Sequence, residues 1–314
     1  RFVPAHNCRL GASCFPALGM RQLGGEYAAR LDVNLRWYTD EVTVDFVRCL
    51  GAMKTAEFTS SVDGRRYAPW SKVGSDPRDS SYIPQVRDTV RHIFETFGRK
   101  VQWTLSGDHS LTQWVSLIRL VEMAADALGP VIQYVEIAEM VNEYGINGFS
   151  IPEVRSMADR WHQLMGDVVP IALSSPTSVM GSPDENSDEV AREVRELYIG
   201  SRASVLTAHW SRSSEGGPQP GYQKLGWSCP VQNNEWFGPG SSVQASDDPL
   251  AIGNAYRSSI HAGERACVFH PAMGVYMGEL VGNFGLPQYP TYQSHPNHEQ
   301  HAERDRRADD QIQH

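Results

Sequence analysis

The chain has 314 residues, with 28 basic and 37 acidic side chains and a formal net charge of −9. That balance excludes the basic stripe by which proteins hold nucleic acid, and a content of 40% hydrophobic and 10% aromatic residues excludes a largely disordered chain. No apolar run reaches the roughly 18–20 residues that cross a bilayer, because Arg119, Glu122 and Asp126 interrupt the most apolar helix-like stretch, 114–128.

In chain order, short apolar runs at 10–15, 45–50, 101–106, 131–142, 168–173, 204–210, 230–234 and 266–270 read as strands. Helix-like segments and loops separate them, an alternation that predicts βα units and a parallel sheet. Several of the helices carry end signals. Ser80-Ser81 and Pro84 open a segment with Val86, Val90, Ile93, Phe94 and Phe97 at helical spacing, and Gly98 stops it. Ser110 is expected to cap the next helix, whose stripe runs Leu111, Trp114, Val115, Ile118, Val121, Ala125, Leu128 to Gly129. Further helices are predicted over 151–165 with Pro152 in the first turn, over 188–198 before Gly200, and over 249–261 before Gly263. Long loops at 59–80, 174–187 and 211–228 follow predicted strands, where a barrel builds its catalytic face.

From about residue 286 the composition turns to Pro, Gln, His and charges, so 1–285 is expected to form the folded unit and 286–314 a polar tail or linker. His295, His298 and His301 recur every third residue, but Pro296 interrupts them and a solvated tail is the expectation. The five cysteines include no CxxC pair, so no structural zinc or disulfide framework is expected; Cys14, Cys49, Cys229 and Cys267 read as small buried hydrophobes. The sequence starts at Arg1 with no signal peptide and no Met, which reads as a processed or incomplete chain.

Two strand ends carry chemistry. The fourth run finishes Glu139-Met140-Val141-Asn142-Glu143-Tyr144, and the seventh finishes Asn233-Asn234-Glu235-Trp236-Phe237-Gly238. Each sets a Glu where a parallel strand meets its loop, and on a barrel both project into one cleft. Two carboxyl groups about 5–5.5 Å apart suit a retaining glycosidase, one protonated to assist the leaving oxygen and one ionised to attack.

These motifs resemble those of the large glycoside hydrolase clan built on (β/α)8 TIM barrels. The resemblance spans roughly 8–285 and implies Glu143 as acid/base, Asn142 as the contact to a sugar 2-hydroxyl, and Glu235 as nucleophile. It also implies a cleft role for Arg48, at the end of the second run, and for His109 and His209, at or just after the third and sixth. Tyr144 stands where Pro often follows the acid/base, and His270 where many members present a Trp. Tyr144, Asn234, Trp210, Trp236 and His270 complete the expected substrate contacts; Trp70 is a further candidate platform, Trp103 reads as core, and Trp114 and Trp161 as helix packing residues.

Other readings of the same residues stay open. Glu136 and Glu139 fit structural partners, although a shifted register would promote Glu139; Arg48 equally fits a partner of Glu139; His109 and His209 equally fit structural histidines. No G-x-S-x-G, P-loop, H-E-x-x-H or post-strand G-x-G-x-x-G motif is present. The expectation is a retaining glycoside hydrolase acting on an oligo- or polysaccharide without metal or organic cofactor. The alternative is a non-catalytic glycosidase-like barrel that binds carbohydrate or builds an extracellular or virus-particle assembly. A transglycosidase using the same residues is a third reading.

Overall fold

In a computed structural model that describes residues 8–15, 17–40, 43–52, 58–59, 66–67, 77–177, 188–209, 227, 229–235, 249–261 and 263–270, all eight expected strands form. They are β1 (Arg9–Ser13), β2 (Phe46–Leu50), β3 (Lys100–Ser106), β4 (Val135–Val141), β5 (Ile171–Ala172), β6 (Leu206–Ala208), β7 (Val231–Asn233) and β8 (Ala266–Phe269). Every ladder between them is parallel, in the order β5-β4-β3-β2-β1-β8-β7-β6. The open seam between β5 and β6 is bridged just before β6, where Ser204 and Val205 N–H groups donate to the Ile171 carbonyl at 2.9 and 3.2 Å. The result is a nearly closed (β/α)8 barrel.

Seven α-helices are described: α1 (Ala17–Leu23), α2 (Gly25–Asp40), α3 (Tyr82–Phe97), α4 (Leu117–Leu128), α5 (Ile151–Met165), α6 (Asp188–Tyr198) and α7 (Pro249–His261). α3 buries Val86, Val90 and Ile93 of the stripe expected of it, leaves Phe94 and Phe97 half-buried, and ends at Gly98, whose φ of 68° is readily adopted only without a Cβ. A short antiparallel pair, Phe58–Thr59 with Arg66–Tyr67, lies between β2 and α3. No helix among the described residues is long and apolar enough to cross a membrane.

Three expectations are corrected. Ser110 does not cap α4: the Asp108 carboxylate accepts from the Ser110 N–H at 2.7 Å and holds 109–113 as a separate 3-10 turn. Ser116 is the cap instead, extended in backbone and accepting from Arg119 N–H at 3.2 Å. Trp114 therefore lies outside the helix, 38% exposed, with the Arg78 guanidinium 5.5 Å over its ring. The fourth strand begins at Val135 rather than 131, because Pro130, with its fixed φ, starts a 3-10 turn over Gly129–Tyr134.

The principal apolar core lies between barrel and helices and includes Trp103 and Trp161. Cys14, Cys49 and Cys267 are buried as expected, Cys229 is half-buried, and all five cysteines are free. Inside the barrel, Phe46, Ala266 and Val268 pack together at the N-terminal end, as do Ile137, Ala172 and Val205. Strand side chains alternate between faces, so Arg48, Glu139 and Thr207, two residues further on, share that interior face. They are fully buried. The lumen thus changes from apolar to polar toward the mouth that carries the site.

Candidate active site

The site grows from this buried polar layer. Glu139 Oε2 accepts from Arg48 Nε and Nη2 (3.2 and 3.0 Å), Gln102 Nε2 (3.2 Å) and Thr104 Oγ1 (2.6 Å), while Oε1 accepts from Asn234 Nδ2 (2.9 Å). Every one of these partners donates, which only an ionised carboxylate can absorb. Burial opposes that charge, but Arg48, His209 and the Thr104 and Thr207 hydroxyls outweigh it and hold the Glu139 carboxyl below its ordinary range. The open alternative for Arg48 and Glu139 resolves into both roles at once: they are partners, and Arg48 also reaches the mouth.

At the mouth, Arg48 Nη2 donates to Asn142 Oδ1 at 2.7 Å. That bond turns the Asn142 amide so that Nδ2 donates to Glu143 Oε2 at 3.2 Å. Arg48 Nη1 lies 3.7 Å from Glu235 Oε1. His209, at the end of β6, places Nδ1 2.9 Å from Glu143 Oε1 and 3.3 Å from Glu235 Oε1. Ligand atoms of Glu143, His209 and Glu235 all fall within 4.8 Å of one another. The two glutamates therefore face each other across one mouth.

His270, at the end of β8, is held from behind by Ser13 Oγ at 2.7 Å from Nδ1 and presents Nε2 3.7 Å from Glu235 Oε1. Phe15 meets the His270 ring edge-on at 5.1 Å, and the Arg48 guanidinium lies 5.1 Å over the same Phe15. Asn234 faces the interior network: its Oδ1 accepts from Gln102 at 3.3 Å and Gln232 at 2.8 Å.

Like Asn234, two further expected contacts are engaged elsewhere. His109 sits on the 3-10 turn after β3, its Nε2 2.9 Å from Glu153 Oε1. The Tyr144 hydroxyl donates to Glu193 of α6, while its N–H donates to Ser174 Oγ at 2.9 Å. Burial pushes the Tyr144 phenol pKa up, and Glu193 adds to the effect. Glu143 itself has a φ of 45°. A following proline would disfavour that backbone and could not bond Ser174, so Tyr144 and the left-handed Glu143 belong together. Trp70, Trp210, Trp236 and the tail histidines lie outside the described residues.

Glu136 is structural as read, paired at the opposite end of the barrel with Arg9 and with Arg265 at 2.6 Å. The sequence reading passed over Gln102, Thr104, Gln232, Ser13 and Glu193. The signal for the first two was the polar alternation Gln102, Thr104, Ser106 within an otherwise apolar β3.

The His109–Glu153 contact carries a pH prediction. Burial raises the Glu153 pKa, but bonds from Ser150 Oγ and N–H and from His109 prevail and bring it from 4.5 to about 2. A depressed folded pKa gives stability that is complete above the ordinary value and lost as pH falls toward about 2. Wild-type protein should therefore melt higher than Glu153→Gln at neutral pH, and the gap should close across that acid window. A gap constant with pH would contradict the assignment.

No family profile and no curated protein matches this sequence. Solved structures do match. A family 5 glycoside hydrolase from Bacteroides vulgatus superimposes with TM-score 0.56 at 9% identity, over 85% of this chain and 59% of its own. A psychrophilic family 10 endo-β-1,4-xylanase gives TM-score 0.51 at 11% identity, over 84% of this chain and 86% of that one. A family 5 mannosidase from Rhizomucor miehei gives 0.50 at 9% identity, over 82% and 80%. The fold they share with this chain is the (β/α)8 barrel. This chain spans a little over half of the Bacteroides vulgatus structure, and at these identities the likeness is one of fold.

Proposed function

We propose that this chain hydrolyses a glycosidic bond of an oligo- or polysaccharide with retention of configuration. The observation that carries this reading is the approach of the Glu143 and Glu235 carboxylates to within 4.8 Å, bridged by His209, at the mouth of a glycosidase-type barrel. That spacing leaves too little room for a water between acid and base, as inversion requires, and suits direct attack.

In the first step a Glu235 oxygen attacks the anomeric carbon while the bond to the leaving oxygen breaks and Glu143 gives that oxygen its proton. In the second, Glu143 takes a proton from water, the water oxygen attacks the same carbon, and Glu235 departs as a carboxylate. Arg48 and His270 lie beside Glu235 to balance the charge that returns to it. Asn142, oriented by Arg48, offers Nδ2 to a sugar 2-hydroxyl. Two structural neighbours are an endo-β-1,4-xylanase and a mannosidase, so β-1,4-xylo-oligosaccharides and mannosides are the first substrates to try. Proton NMR of the fresh product should show the substrate's own anomer before mutarotation. The opposite anomer overturns retention, and glycan binding without turnover favours the non-catalytic barrel.

A further inference from the structure

Glu143, His209 and Glu235 form a donor set, with His270 beside Glu235 as a candidate fourth member, whose chemistry goes beyond sugar hydrolysis. Zinc takes imidazole nitrogen at about 2.0–2.1 Å and carboxylate oxygen at about 2.0–2.2 Å, which puts tetrahedral ligand atoms roughly 3.4 Å apart. His209 Nδ1 stands 2.9 Å from one carboxylate oxygen and 3.3 Å from the other, and the three ligand atoms are all within 4.8 Å of one another. Small rotations of two glutamate side chains would close that set around one ion.

A separate observation concerns the fourth donor. His270 Nδ1 is bonded to Ser13 Oγ at 2.7 Å, and its Nε2 faces Glu235 Oε1 at 3.7 Å. A metal-ligating histidine is usually held through its second ring nitrogen by a neighbouring group, as Ser13 holds His270.

We infer that Glu143, His209 and Glu235, with His270 as fourth donor, bind a divalent transition-metal ion of the zinc class, and that the ion closes the cleft to substrate. The binding site stands on its own donors; the closing of the cleft rests on the hydrolase reading above. An ion between the two carboxylates occupies the place the anomeric carbon needs. Sugar and metal therefore exclude one another.

The probe is zinc chloride, titrated by calorimetry into the metal-free full chain and into an H295A/H298A/H301A/H314A variant that removes the tail imidazoles. One equivalent should bind in both. Glu143→Gln and His209→Asn, each introduced in the tail variant, should weaken it by at least about tenfold. If His209→Asn does not fold, Glu143→Gln, at a half-open strand end, decides the matter, with circular dichroism confirming its fold. Zinc should also inhibit hydrolysis competitively, and a chelator should reverse the inhibition. Binding that disappears with the tail histidines, or that Glu143→Gln leaves unchanged, overturns the site. So does a chain that hydrolyses a glycoside but binds none of the added zinc. Zinc binding in a protein that cleaves no glycoside upholds the metal site and refutes the hydrolase reading, so the two fail separately.

Discussion

Replacing Glu235 by Gln should lower turnover of a cleaved glycoside by on the order of 10⁴-fold or more, with little change in melting temperature. The amide keeps the shape of the side chain but cannot form the glycosyl ester, and loss of a nucleophile removes an entire step. Glu143→Gln should behave differently. With an unactivated leaving group it should cost about 10²–10⁴-fold, the usual worth of general acid–base assistance. With an aryl glycoside whose phenolate leaves unaided, the first step should survive while the second stalls. An intact mass increased by one sugar residue should then accumulate on Glu143→Gln and never on Glu235→Gln. Wild-type rates in both variants would sink the catalytic assignment and leave the binding barrel as the better account.

Two glutamates at strand ends were legible, because an apolar run bounded by loop residues marks where a strand stops; their separate roles came only from the resemblance to the glycoside hydrolase clan. The eight strands were legible for the same reason. α1 and α2 were not: Leu31, Leu35 and Tyr38 form the buried stripe of α2, but Asn34 lies buried among them and charged residues flank it, so the apolar period is blurred. In β3, Val101, Trp103 and Leu105 face the helices, which leaves Gln102, Thr104 and Ser106 to the lumen. That alternation was visible, yet the partner of each polar residue depends on register across strands far apart in sequence. The same holds for His209 and His270, which converge on Glu235 only because β6, β7 and β8 lie side by side. Tyr144 reads as a sugar contact by its place after Glu143, but α6 brings Glu193 to its hydroxyl.

Glu139 is where the fold and the site depend on one another most. Glu139→Leu should destabilise the protein by about 3–5 kcal/mol, because it leaves the fully buried Arg48 charge without its carboxylate and strands the donors of Gln102, Thr104 and Asn234. Glu139→Gln should cost less but still be harmful: its amide has one acceptor oxygen, and its NH₂ would confront groups that all donate. Adding Arg48→Met to Glu139→Leu should recover part of the loss, since a buried pair replaced by apolar side chains leaves no orphaned charge. Urea unfolding of the two single variants and the double gives the coupling directly. The recovered protein should remain inactive, because Arg48 also orients Asn142 and lies beside Glu235. Strictly additive losses would mean that Arg48 and Glu139 are not coupled, and the buried layer would then have no hold on the mouth above it.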